Sequence, residues 1–345
     1  MKAAVIGGTG YSAIELIRLL HHHPYAHLDT IVSHSNGGTE LHEIYPHVTN
    51  LIDTPLQALD IKKLSQKIQV VFFATPSGVS KEMIPAFLDE GIRCIDLSGD
   101  FRLRSQQSYE KWYRHQAAEE TYLKKAVYGL SEINEAQIKG STFISNPGCY
   151  PTATLLALIP ALQLGFIDQD NIIIDAKSGV SGAGRGLSLA THYGEVNENV
   201  KAYKLGAHQH IPEIEQTLQT ACHFSKSITF TTHLVPMTRG IMCTIYTNLT
   251  KQVATEDITL AYTEYYQDHP FVRIRPSGTV PATKEVYGSN FCDIGFHADE
   301  RTGKLTIVSV IDNLIKGASG QAIQNLNLMN GWDVRTGLLN IPLYP

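Results

Sequence analysis

No basic block occurs anywhere in these 345 residues. Lysine and arginine number 28 against 33 acidic residues, for a formal charge of −5, which argues against nucleic acid as the main partner. A membrane-length apolar run is also missing. The longest uncharged stretch, Gly140 to Ile167, carries Asn146, Pro147, Pro151 and Pro160, so it does not read as a span. The apolar residues of the opening Met-Lys-Ala-Ala-Val-Ile-Gly-Gly are too few for a signal peptide. Cysteine is scarce: five residues, at 94, 149, 222, 243 and 292, with no CxxC pair. The expectation is a reduced, cytoplasmic protein without a structural zinc or other metal. What is present is apolar material, 43% of the chain against 18% charged. That is enough for a large core and excludes general disorder. The length suggests about two domains.

The first 150 residues alternate strand and helix patterns. Apolar strands are expected at Lys2–Ile6, Leu28–Val32, Val70–Ala74, Ile92–Leu97 and Phe143–Ser145, with helices at Tyr11–His22 and Lys81–Glu90. Such alternation implies an α/β, doubly wound parallel sheet of the Rossmann type. Tyr150–Gly165 is apolar on nearly all sides and reads as a buried helix. Beyond it, β-rich runs at Asn171–Lys177, Ser227–Pro236, Ile241–Asn248, Asn290–His297 and Leu305–Ile311 are interrupted by helical stretches at Pro212–Cys222 and Glu256–Gln267. This half reads as an α+β catalytic domain with a largely antiparallel sheet. A last helical stretch, Leu314–Leu328, is expected to return to the first domain. The division is therefore 1–148 with the helix 313–330, and 149–312.

Gly7-Gly8-Thr9-Gly10-Tyr11-Ser12-Ala13 stands between the first strand and its helix. Glycines there permit close backbone approach to a pyrophosphate, and the helix start offers N–H groups and a positive dipole end. An NAD site usually carries an acid at the end of the second strand. Here Ser33-His34-Ser35 follow it, which favours the 2′-phosphate of NADP. In Ser145-Asn146-Pro147-Gly148-Cys149-Tyr150-Pro151-Thr152, Pro151 suits the first turn of a helix. Cys149 then sits at or just before the helix start, where the dipole favours the nucleophilic thiolate. The other four cysteines read as core.

His208-Gln209-His210-Ile211-Pro212-Glu213-Ile214 places two histidines just before a helix. If that loop is extended they point apart and only one faces the sulfur. Either could serve as acid/base, with a slight preference for His210, which is nearer the helix start. Zinc competes weakly, because no third ligand stands at metal spacing. Asp175 to Arg185 runs from a strand into a Gly/Ser loop whose backbone N–H groups, around Ser178 and Gly179, suit an anion or a cofactor. Asp96-Leu97-Ser98-Gly99-Asp100-Phe101-Arg102 ends a strand where such sheets bind ligands, and Arg102 could clamp an anion.

Together these segments resemble the N-acetyl-gamma-glutamyl-phosphate reductases, relatives of the aspartate-semialdehyde dehydrogenases. Further matching motifs are Tyr128-Gly129-Leu130, His233 to Gly240 and Asp312-Asn313-Leu314-Ile315-Lys316-Gly317-Ala318. His34 departs from the pattern, standing where an Arg often follows the serine. So does 75–80, Thr-Pro-Ser-Gly-Val-Ser, where many members carry a Leu-Pro-His-Gly-like segment. The resemblance implies Cys149 as nucleophile and NADP(H) bound by the first domain. It also implies Asn313 near the nicotinamide, Arg102 as a phosphate ligand and a homodimer or homotetramer. The cofactor-binding candidates are Gly7, Gly8, Thr9, Gly10, Tyr11, Ser12, Ser33, Ser35, Ser178, Gly179 and Asn313. The substrate-binding candidates are Arg102, Arg185, Asn146 and Glu213. The implied reaction is the NADPH-dependent reduction of N-acetylglutamyl 5-phosphate to its semialdehyde, in arginine biosynthesis. The alternatives are the same chemistry on aspartyl or acetyl-aminoadipyl phosphate, or a nucleotide sensor without catalysis.

Overall fold

The computed structural model describes residues 1–34 and 37–344. The chain forms two compact units. The first comprises Met1–Pro147 with Ala318–Leu338, and the second Gly148–Gly317 with the residues from Leu339 on.

In the first unit the strands are β1 (Lys2–Ile6), β2 (His27–Val32), β3 (Leu56–Gln57), β4 (Val70–Phe73), β5 (Arg93–Asp96), β6 (Val127–Tyr128) and β7 (Phe143–Ser145). Their order is β3-β2-β1-β4-β5-β7-β6, and every pairing is parallel. β4 and the last four residues of β1 are buried throughout, as strands covered on both faces must be. Phe73 from β4 meets Phe87 of helix α2 (Ser80–Asp89), and Phe101 meets Phe143 of β7, both edge to face. Helix α1 (Tyr11–His21) follows β1, while α3 (Gln106–Tyr113) and α4 (Ser131–Ile138) lie between β5 and β7. The closing helix, Gly320–Met329, is buried at every position although it carries four amides. Burial of an amide demands a partner. Gln321 and Asn325 donate to the carbonyl of Gly129, Gln324 donates to Glu132, and Asn327 donates to Thr336.

The second unit begins with helix α5 (Cys149–Gln163), whose residues Tyr150–Ala161 are all buried. Pro160 lacks an N–H, so the carbonyl of Leu156 loses its helical donor. The Tyr266 hydroxyl supplies one at 2.6 Å. The strands are β8 (Ile173–Ser178), β9 (Lys201–Tyr203), β10 (Thr229–Leu234), β11 (Ile241–Asn248), β12 (Val272–Ile274), β13 (Cys292–Asp299) and β14 (Lys304–Ile311). They form one mixed sheet, ordered β12-β13-β14-β11-β8-β10-β9. Four pairings are antiparallel, and β8–β10 and β12–β13 are parallel. Helices α6 (His210–Cys222) and α7 (Thr255–Tyr265) belong to this unit, as does the single turn Tyr193–Val196, and Gly320–Met329 is α8.

Two expectations about helices are corrected. The stretch from residue 314 does not enter α-helix at once: Ile315–Ser319 wind as a π turn, and α8 begins at Gly320. The Asp312 side chain accepts the amides of Leu314 and Ile315 and so displaces the α pattern. Helix α6 starts two residues before Pro212, at His210. Proline is tolerated there because first-turn N–H groups have no helical acceptor.

Candidate active site

In the first unit the glycine-rich turn is built around one carbonyl. Gly7 and Gly8 both donate to Val32 O at 3.0 Å. Gly7 has φ +85, and a side chain on it would lie 2.5 Å from Ala74 O; one on Gly8 would lie 2.1 Å from Ile31 Cγ2. The backbone can follow this path only without side chains. Gly10 caps α1 with no side-chain hydrogen bond, and a methyl there would meet nothing closer than 3.7 Å. Tyr11 and Ser12 form the first turn of α1. The carbonyl of Thr9 accepts the Tyr45 hydroxyl, and that of Ser12 accepts the Ser319 hydroxyl. Ser33 is buried, with its amide on Gln57 O; Ser35 lies outside the described residues. The uncapped helix start and the glycine-rich turn fit a dinucleotide pyrophosphate.

The 96–102 segment is a buried polar network. Asp100 accepts the Tyr109 hydroxyl and the Gly78 amide at 2.6 Å each, and also the amide of Lys81. A file of oxygens joins it to Asp96: Asp96 to Ser98 at 2.8 Å, Ser98 to Ser80 at 2.9 Å, Ser80 to Asp100 at 3.0 Å. Three such contacts need three protons and the two serines hold two. The third proton is read onto Asp96, the carboxyl that burial raises. Burial, and next the Asp100 charge, push the Asp96 carboxyl up to about 7, against the Ser98 hydrogen bonds and Arg102. Arg102 is buried, with Nε on Asn146 O and Nη2 on Leu97 O. Asn146 is fully buried; its Nδ2 donates to Ala318 O and its Oδ1 accepts from Asn325.

In the second unit Cys149 is the first residue of α5, with Gly148 as N-cap. Glu213, fully buried on α6, accepts the Gly148 amide at 2.8 Å. His210 is the first residue of α6, and His208 precedes it in the loop. The expected divergence of the two histidines is corrected. Their ring centroids lie 4.6 Å apart, because Gln209 takes helical rather than extended angles. The Nδ1 of His208 accepts the His210 amide at 3.1 Å. Burial, followed by the Lys204 charge, pushes the His208 imidazole down to about 3. Both rings meet Tyr150 edge on, and the Tyr150 hydroxyl pairs with that of Tyr203 at 3.0 Å. Tyr203 stands on a three-residue edge strand with no motif around it, so nothing in the sequence singled it out.

Ser178 is buried and donates to Gly179 O. Gly179 backs onto the Thr238–Arg239 backbone. Asn313 accepts the Gly240 amide at 2.7 Å and donates to Ser181 at 3.0 Å, tying these loops together. Arg185 is exposed. Among the described residues no group of three or more His, Cys, Asp or Glu could hold a metal ion. No helix there is long and apolar enough to cross a membrane.

The family model for the semialdehyde dehydrogenase NAD binding domain matches residues 2–141, and that for the dimerisation domain matches 149–313. N-acetyl-gamma-glutamyl-phosphate reductases of Geobacillus kaustophilus and Bacillus subtilis are 56% and 52% identical, each over 100% of both chains. Among solved structures, aspartate semialdehyde dehydrogenase II of Vibrio cholerae, complexed with ASA, has a TM-score of 0.72 at 17% identity, covering 95% of this chain and 97% of its own. Aspartate semialdehyde dehydrogenase with NADP from Candida albicans has a TM-score of 0.70 at 15% identity, with the same coverages. At those identities the structures show the shared fold. The chain belongs to the semialdehyde dehydrogenase family, among its N-acetyl-gamma-glutamyl-phosphate reductases.

Proposed function

We propose that this chain reduces N-acetylglutamyl 5-phosphate to N-acetylglutamate 5-semialdehyde with NADPH, in arginine biosynthesis. The observation that carries the reading is Cys149 at the start of a buried helix, with Glu213 fixing the preceding amide and His210 opening the helix that bears Glu213. The full-length relatives supply the acyl chain. The Cys149 sulfur adds to the acyl-phosphate carbonyl. Phosphate leaves with the C–O bonding pair, and the acyl group stays on sulfur as a thioester. Backbone amides of the first turn of α5 receive the oxyanion. NADPH, when bound, supplies the hydride. His210 gives the proton that the carbonyl oxygen gains and takes it back as the thiohemiacetal collapses to the aldehyde and the thiolate.

His208, neutral and committed to the His210 amide, orients its neighbour. Asn146 and Glu213 act in our reading by bracing the segment around Cys149. Arg102 and Arg185 supply cations for the phosphate and the substrate carboxylate. Gly7 to Ser12 hold the pyrophosphate, Ser33 and Ser35 the 2′-phosphate, and Ser178, Gly179 and Asn313 border the nicotinamide. The active form is a homo-oligomer in the cytoplasm; the dimerisation-domain match supports the oligomer, and the five free cysteines among the described residues suit a reducing compartment.

The test is phosphate-dependent NADP reduction in the reverse direction, with N-acetylglutamate semialdehyde beside aspartate semialdehyde. Activity on the first alone is expected. Activity on neither, with NADP still bound, overturns the assigned reaction.

A further inference from the structure

Asp312, at the end of β14, is fully buried. A buried carboxylate persists only when it is paired and hydrogen-bonded. Its Oδ1 takes Arg239 Nη2 at 3.1 Å and the amides of Leu314 and Ile315 at 2.9 and 3.1 Å. Its Oδ2 takes the Gly288 amide at 2.8 Å. Three separate segments thus converge on one side chain. The Asp312 carbonyl also accepts the Gly317 amide at 2.9 Å, an i to i+5 bond that winds the turn as π. Such turns are rare and concentrate at functional sites.

The turn delivers Gly317 to the back of the nucleophile. A methyl on Gly317 would lie 2.7 Å from Cys149 Cβ, 3.2 Å from Cys149 Cα and 3.2 Å from Ile311 Cδ1. Gly317 is therefore the wall against which the Cα–Cβ bond of Cys149 rests. The turn depends on Asp312, and Asp312 is paired with Arg239. Arg239 is itself steadied over the Tyr287 ring, 5.3 Å from its centroid.

We propose that Arg239 and Asp312 are positioning residues for the Cys149 sulfur, acting through the π turn that seats Gly317 behind it. In this proposal the pair acts on the sulfur through the turn. It sets where the wall stands, and so the direction in which the thiolate projects. Misplacement of a reacting group by about 1 Å costs roughly a hundredfold in rate, so a small slip of the turn is enough. The proposal rests on the reading of Cys149 as nucleophile.

The experiment is iodoacetamide alkylation of Cys149, followed by mass of its peptide from pH 5 to 9, with no substrate present. Wild type is compared with Asp312→Asn, Arg239→Met, Arg239→Lys and Gly317→Ala, well below each variant's melting temperature. Asp312→Asn, Arg239→Met and Gly317→Ala are expected to slow alkylation by on the order of tenfold, and to lower kcat by roughly ten- to a hundredfold with KM for NADP unchanged. Arg239→Lys keeps the charge and is expected to restore most of the rate. Gly317→Ala leaves the ion pair intact, so it tests the turn even if Asp312→Asn does not fold. Variants that melt earlier yet alkylate and turn over like wild type would show a purely structural pair and overturn the proposal. Wild type alkylating no faster than free cysteine would instead overturn the nucleophile reading beneath it.

Discussion

The Nδ1 of His208 holds the backbone N–H of His210, 3.1 Å away. That bond leaves Nδ1 of His208 without a proton, and burial keeps the ring neutral to about pH 3. His208 is thereby a fixed acceptor, and in the proposed mechanism His210 carries the proton transfer.

Replacing His210 by Asn is expected to lower kcat by roughly 10²- to 10⁴-fold, the usual contribution of a general acid or base. Replacing His208 by Asn is expected to lower the melting temperature and leave kcat within about tenfold. Steady-state rates and thermal melts on both variants check this. The reverse ranking would move proton transfer to His208.

Cys149→Ser is expected to bind NADP as wild type does and to lose turnover by several orders of magnitude, as removal of a nucleophile does. Fluorescence titration with NADPH and the reverse assay measure the two parts. A near-native rate would refute the covalent step.

The glycine-rich turn separates folding from binding. Gly8→Ala drives a methyl into Ile31 and is expected to destabilise the chain by about 1–3 kcal/mol, the usual cost of overpacking. Gly10→Ala meets ordinary contacts only. It is expected to melt as wild type does yet bind NADP more weakly, because in the proposed binding mode the added methyl stands where the pyrophosphate approaches. Unchanged affinity in that variant would place the pyrophosphate elsewhere.

Asp96 carries a pH dependence of stability. Folded, it keeps its proton to about pH 7; unfolded, it loses it near the ordinary value of 3.8. Between these the folded chain binds the extra proton, so stability falls as pH rises from about 4 to about 7 and is level above that. The fall is on the order of 4 kcal/mol. Asp96→Asn keeps an oxygen that can accept from Ser98 and removes the titrating group. Urea unfolding across this range is expected to show a flatter profile for the variant, and identical slopes would place the titrating group elsewhere.

Much of this was legible locally. The Gly7–Gly10 turn, the parallel strands and Cys149 at a helix start each announce themselves within about ten residues. Strands of two or three residues, such as Val127–Tyr128 and Lys201–Tyr203, are too short for any periodicity to show. The side-by-side histidines were misread because the outcome hangs on the backbone angles of Gln209 alone. The file from Asp96 to Asp100 passes through Ser80, sixteen residues upstream of Asp96, and no spacing rule reaches it.

The first unit leaves the chain at Pro147 and resumes at Ala318. During synthesis, every residue of Gly148–Gly317 emerges before the amides of Gln321, Gln324 and Asn325 exist. Until then the carbonyl of Gly129, the carboxylate of Glu132 and the side chain of Asn146 have lost the donors that satisfy them in the finished fold. A polypeptide stopped at Pro147 holds all seven strands of the parallel sheet and still cannot close its own interior. The polar interior of the first unit is therefore completed only once Ala318–Leu338 has been made.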